Sequence, residues 1–510
     1  MKILHGASKI SVQIFYLVLD SLKTNQETDW RAKMVCGFLQ RTTFLIAIAL
    51  LMAAFSPSQN LLAQGDPGGG GGGGNNDGNE PFFGGIEIDA SGILSSRLIV
   101  DPTGAVNQQR WQAARASLNQ DLQKRSAMRC ISLNRLEREY ARMIAEGQPI
   151  PEEMNFLAGL TSISHVFFFP ETKDIVIAGP AEGFFVNSSN YVVGMETGSS
   201  VLQLQDLVVA LRAFGPDHSP NRVISCSIDP TQEGILRMRD AVTFAQQNAN
   251  RLSVPQIVQL FREALGFQQI SINGVSNRTN FARVMIEADY RMKLIGIGLE
   301  QPTVPMTTYI QKATPTTVGQ NALIRWFFQP KYDCIRISPD ENGIQFVDGG
   351  VKLVGEDEMV SRDGQRRNTG RMNSASKAYT ESFTKMYDKL AETNPLWGEL
   401  RNLMQMSMAA AYIQKFDLFE KSGWGMEHFG DETKFRTEIM NAPQFVAPVA
   451  NAVFKNGALM TPIAGGVAIQ PRMAFNSDRL TEDENGQIAH SKDESSAGLR
   501  NLKPGQWWWD

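Results

Sequence analysis

Seven consecutive glycines, Gly68 to Gly74, constrain this chain more than any other feature. The stretch Gly65 to Asn79 that contains them has almost no side chain to bury and keeps its backbone free, so it reads as a tether and not as part of a core. It separates a short front segment from a long body. In the front segment Arg41 precedes the apolar run Phe44 to Phe55 (FLIAIALLMAAF), which ends at Ser56 and Pro57 and is followed by the small residue Ala63 at a plausible cleavage site. That order of charge, apolar run and small residue predicts a secretory leader over residues 1–63, cleaved between Ala63 and Gln64. The apolar run is ~12 residues long where a membrane-crossing helix needs roughly 20, which favours a removed leader over a permanent anchor. Residues 1–33 place Asp20, Glu27 and Asp29 where a short basic region is expected, so Met34 is a second candidate start. The expected location is extracytoplasmic, periplasmic or secreted, with no stable membrane span once the leader is gone.

The remainder is 64–80, a glycine-rich linker, and a body long enough for a sizeable core, since 42% of the 510 residues are hydrophobic and 20% charged. The formal net charge is −4, and the leader is itself net positive, so the body is more acidic still. Such a surface has no electrostatic footprint for nucleic acid. Cys130, Cys226 and Cys334 lie in the body and Cys36 in the leader. Their spacing matches no CxxC motif, and buried thiols are favoured over a single disulfide.

Apolar periodicity predicts an α+β body of mixed α/β layers. The run FFGGIEIDASGIL after Pro81 reads as strand and turn. Asn107 to Gly147 reads as two helices or one broken one, stopped by Pro149 and Pro151. Strands are expected near Val166–Phe169, Ile175–Ala178, Val223–Ile228 and Gln268–Ile272, and helices at Leu202–Ala213, Thr231–Asn248, Val254–Leu265 and Thr279–Ile295. From Asn321 to Glu356 short strands broken by proline and glycine predict a β-meander, and residues 373–419 are helical with a break at Asn394 and Pro395. The stretch GALMTPIAGGVAIQPRMAF reads as strand and turn with Gly465 and Gly466 at the bend. The expected divisions are an N-terminal body over 81–320, a meander and helical body over 321–475, and a disordered polar tail over 476–510. The tail ends in Trp507, Trp508 and Trp509, which suit a docking anchor as well as an adventitious terminus.

VFFFPETKDIVIAGPAEGFFV from Val166 and RWFFQPKYDCIRISPDENGIQFV from Arg325 share an aromatic strand, proline, aspartate, a second strand, proline, glutamate and glycine in the same order. This predicts duplicated β-meander units with interspersed helices, with a ligand cleft expected between the halves.

Local catalytic motifs are scarce in the chain. The histidines of the body, His165, His218, His428 and His490, have no metal-ligand spacing, and no metal site or cofactor is predicted. No GxSxG elbow, phosphate loop or dinucleotide fingerprint is present. Ser374–Lys377 and Ser382–Lys385 match SxxK without a partner KTG motif and read as solvated helix residues. The segment EADYRMK gathers Glu287, Asp289, Arg291 and Lys293 on an otherwise apolar helix. Two readings are open: an ion pair between Asp289 and Lys293 worth about 0.3–0.5 kcal/mol if exposed, or a binding or acid-base site at a cleft, where buried groups shift their pKa values. The basic stretch Arg362 to Arg371 reads as a solvated loop able to engage a carboxylate or sulfated polymer.

The succession GGIEIDASGIL, SCSIDPTQEGI, IEADYRMKLIGIGLE, TNPLWGELRNLMQMS and IAGGVAI, behind a leader, resembles a planctomycete family of exported proteins, domain of unknown function 1598. The resemblance runs from about Phe82 to Pro471, and IEADYRMK is its most distinctive part. It implies an extracytoplasmic bacterial protein and assigns no catalytic residue. Two functional readings follow: a non-enzymatic envelope or secreted protein that binds an envelope protein or polysaccharide partner, or an exported hydrolase whose acid-base site assembles near Asp289 and Lys293.

Overall fold

A computed structural model describes residues 85–89, 91–96, 101–219, 221–248, 250–314, 322–361, 365–448 and 463–510. The leader, with Ala63 and Gln64, and the glycine tether lie outside the described residues.

Strand patterning sets the architecture. Ile224, Cys226 and Ile228 are buried while Ser225, Ser227 and Asp229 between them are half-buried, the period of two that gives a sheet one covered face. This strand, Ile224–Pro230, is near the middle of a nine-stranded sheet. The strand Ile463–Ile469 lies between it, antiparallel, and Ala322–Pro330, parallel. Toward one edge follow Gln268–Asn273, Phe445–Val446 and the hairpin Ile86–Ile88 with Ile93–Ser96; toward the other follow Val351–Val360 and Arg366–Arg371. A seven-stranded sheet contains His165–Phe169, Asp174–Ala181, Ser126–Ser132, Ile335–Ile337 and Gly343–Phe346, with Thr481–Glu482 and Trp508–Trp509 at its edges.

Helices link the two sheets. Asn280–Gly296 packs on the large sheet, Ser374–Thr393 packs on Val351–Val360, and Pro395–Lys415 packs against both helices and Leu204–Ala213. One hydrophobic core extends from Trp326 and Phe328 of the large sheet through Leu400 and Met404 to Val166 and Ile177 of the small one. Asn394 explains the break between the long helices: its side chain accepts from the Leu396 backbone N–H, and Pro395 takes the first helical position. The fold is therefore α+β, with helices and strands close to where the apolar periods place them.

Four expectations change. The boundary at 320 is not structural, because strands from both sides of it alternate in one sheet within the compact unit Glu80–Asp510. The two similar segments do not form equivalent meanders. His165–Phe169 pairs with Asp174–Ala181, whereas Ala322–Pro330 pairs with Val351–Val360 while the strands between them join the other sheet. A strand, Ser126–Ser132, interrupts the helices expected over Asn107 to Gly147. Its Arg129 is fully buried and donates to the carbonyls of Asp121, Leu122, Lys124 and Ala158.

The tail is ordered. Gln487–Arg500 is a helix, and Trp508–Trp509 pairs antiparallel with Ser126–Ser132. Ile488, Leu499 and Trp509 cover the outer face of the small sheet with Phe167 and Val176. Trp507 and Trp509 are thus spent inside their own chain, and the Arg129 guanidinium stacks over the Trp508 ring. Burial of its Ile488 and Leu499 beside Trp509 anchors a helix that is mostly polar elsewhere.

Candidate functional site

The helix Asn280–Gly296 is the most enclosed polar element. All of its 17 residues but Arg291 are buried. Thr279 starts it by accepting from the Ala282 N–H at 3.2 Å. At about 100° per residue, Arg283, Glu287 and Arg291 fall on one stripe, while Asp289 and Lys293 fall on the opposite side. The four residues singled out in the sequence are therefore two separate groups.

The first stripe faces the helical layer. Arg283 Nη1 donates to Glu287 Oε2 at 2.7 Å, its Nη2 to Glu399 Oε2 at 2.8 Å, and its Nε to Asn280 Oδ1 at 2.8 Å. Glu287 Oε1 accepts from the Tyr191 hydroxyl at 2.5 Å and from the Gly85 N–H at 3.0 Å. Arg291 bridges outward to Glu300 at 2.7 Å. Burial works against the charges of Arg283 and Arg291, yet Glu399 and Glu287 for the first and Glu300 for the second hold both guanidinium groups above their usual range. Beyond Asn280, whose amide donates to Asp206 Oδ2 at 2.7 Å, burial pushes the Asp206 carboxyl up to about 7. Its Oδ1 has no hydrogen-bond partner among the described residues.

The second stripe faces the large sheet. Lys293 Nζ donates to Asp289 Oδ2 at 2.9 Å and to the Ile228 carbonyl at 2.8 Å. The two side chains are 3% and 0% exposed, so the ion pair does not lie on an open helix face. Burial pushes the Asp289 carboxyl up to about 6 against the pull of Lys293. Gly465 closes the site: a Cβ there would stand 2.3 Å from the Trp326 carbonyl oxygen, 2.7 Å from Asp289 Oδ1 and 2.8 Å from Lys293 Cε. Gly465 and Gly466 thus permit close approach inside a strand and make no bend. Burial likewise pushes the neighbouring Cys226 thiol well above its usual value, and Cys130, Cys226 and Cys334 are free and buried.

Of the remaining candidates, Lys377 is 63% exposed and lies 3.9 Å from Glu381, and Ser382 accepts from the Thr307 N–H, so neither SxxK serine meets its lysine. Arg366–Arg371 is an edge strand in which Arg366 pairs with Glu358 at 2.5 Å. Among the described residues no cluster of His, Cys, Asp or Glu fits a metal ion, and no helix is long and apolar enough to cross a membrane.

Sequence reasoning missed Arg283, Glu399, Asp206 and Tyr191. A signal for Arg283 was present, since Arg283, Glu287 and Arg291 recur every four residues, the spacing of a helical ion-pair ladder. Glu399 and Tyr191 come from distant segments and leave no such trace.

The family model described as protein of unknown function (DUF1598) matches residues 226–309. The match is narrower than the succession of stretches in the sequence suggests. It takes in Cys226, Ile228 and the whole helix Asn280–Gly296, and leaves out Glu399 and Gly465. No curated protein and no solved structure matches the chain.

Proposed function

We propose that the chain is exported and acts outside the cytoplasm as a non-enzymatic envelope or secreted binding protein, built around the buried helix Asn280–Gly296. One observation carries the non-enzymatic part. Asp289 and Lys293, 0% and 3% exposed, are closed over by the strand at Gly465, so the pair joins a helix to a sheet and meets no open surface. Acid-base catalysis requires the acting group within hydrogen-bond reach of a substrate. An exported hydrolase at this pair requires that Ile463–Ile469 first lift from the middle of the sheet. Export is supported by the order of charge, apolar run and the small residue Ala63, and an envelope protein or polysaccharide is the partner class.

Fractionation of the native host, with mass-spectrometric mapping of the first residue of the recovered protein, tests this reading. A form starting at Gln64 outside the cytoplasm supports it; a cytoplasmic form that retains the leader overturns it. A hydrolytic activity that Asp289→Asn removes from a normally folded variant replaces it with the hydrolase reading.

A further inference from the structure

A cavity of about 230 Å³ lies at the start of the helix Asn280–Gly296, where Thr279 caps it. Its walls come from the helix Leu204–Ala213, the loop that follows, the turn before Thr279 and the loop around Thr437. An apolar cavity of ~150 Å³ accepts benzene, so this one suits a molecule of roughly nine heavy atoms, below the ~300–1,000 Å³ of drug-sized sites.

The charges of the lining sort into two groups. Arg212 is committed to the protein: its Nε donates to the Phe429 carbonyl at 2.5 Å, its Nη2 to the carbonyls of Phe435 at 2.6 Å and Asp431 at 3.2 Å, and its Nη1 to Thr437 Oγ1 at 3.2 Å. It also forms an ion pair with Glu432, and Glu432 holds Thr437 through the backbone N–H and the hydroxyl. This pair cancels and fixes one wall.

Arg222 and Glu438 remain. Arg222 is half-buried and its guanidinium has no ion pair or hydrogen bond among the described residues. Glu438 is held by one oxygen, Oε1, which accepts from Ser276 Oγ at 2.5 Å. Its Oε2 stands 3.9 Å from Arg278 Nη1, beyond hydrogen-bond length. The cavity therefore offers one uncommitted cation and one half-committed carboxylate, with the positive end of a 17-residue helix at its wall. A simple anion would meet Glu438 and a simple cation would meet Arg222; a molecule with both charges satisfies both. Val209, Ala213 and Val275 add apolar surface to the lining, and the His218 imidazole lies beside them.

We infer that this cavity binds a small zwitterion of the α-amino acid class, its carboxylate on Arg222 and its ammonium on Glu438. The inference goes beyond the proposed protein or polysaccharide partner, and its test reads the cavity alone, whereas fractionation reads export, so the two fail separately.

The test is isothermal titration calorimetry of the purified chain with the twenty proteinogenic amino acids, acetate and methylamine. At least one amino acid is expected to bind, with acetate and methylamine silent. Arg222→Gln is expected to weaken that binding about tenfold or more, the loss of a charge-assisted contact, without a change in melting temperature, because the guanidinium has no partner among the described residues to lose. Glu438→Gln is expected to weaken it as well. No heat with any amino acid at about 10 mM, millimolar Kd being the weak limit of a specific site, overturns the inference. So does an Arg222→Gln variant that binds within about twofold of the native chain.

Discussion

Replacing Lys293 by Met removes two hydrogen bonds and leaves the Asp289 carboxylate inside the core with neither its counter-ion nor water. An exposed pair of this spacing contributes about 0.3–0.5 kcal/mol. A pair that is 3% and 0% exposed belongs to another regime, in which removal of one partner costs about 3–5 kcal/mol. Total stability of a domain is only about 5–15 kcal/mol, so the single variant is expected to retain a fraction of it. The double change Asp289→Leu with Lys293→Met removes both charges together and is expected to recover most of the loss, since apolar replacement of a buried pair is often neutral or stabilising by about 1–4 kcal/mol. Urea unfolding of the native chain, both singles and the double at pH 7 closes the cycle. A Lys293→Met cost below about 1 kcal/mol, the ceiling for exposed pairs, would refute the reasoning, as would a double variant no more stable than the worse single.

Other expectations follow from neighbouring geometry. Gly465→Ala places a Cβ 2.3 Å from the Trp326 carbonyl oxygen, and overpacking of about 1–3 kcal/mol or more is expected in urea unfolding. Asp206, pushed by burial from 3.8 up to about 7, binds its proton more tightly folded than unfolded. Its stabilising contribution is therefore full below pH 3.8 and is lost as pH rises through 7; Asp206→Asn is expected to flatten the fall in melting temperature between pH 5 and pH 8.5, and parallel profiles would argue against it. Trp509, 7% exposed with its indole N–H donating to the Ser495 carbonyl at 3.0 Å, is expected to cost about 3–5 kcal/mol when replaced by Ala, read by the same unfolding assay.

Most elements were legible because apolar period is a local property. Gln268–Asn273 and Val254–Leu265 fall within a residue or two of where the alternation and the 3.6-residue spacing place them. Pairing was not legible. Ile463–Ile469 lies between strands more than a hundred residues away in sequence, and nothing in IAGGVAI names its neighbours, although its glycines signal close backbone approach. The ordered tail was missed because its helix buries chiefly Ile488, Ser495 and Leu499, too few apolar positions to outweigh a polar composition. In the candidate site, residue types were found and their surroundings were not. Val284, Met285, Ile286, Ala288, Met292, Leu294 and Ile295 surround the charges on every side of the helix. A helix apolar all round is a buried one, and that turns a surface ion pair into a core one.

The central claim is that Arg283, Glu287, Asp289 and Lys293 of Asn280–Gly296 are sealed inside the fold, and hydrogen–deuterium exchange of the native chain tests it most directly. The account predicts that backbone amides across this helix exchange only through near-global opening, among the slowest in the protein. Exchange as fast as that of the exposed loops would show that solvent reaches Asp289 and Lys293 in the folded state, and would contradict the account.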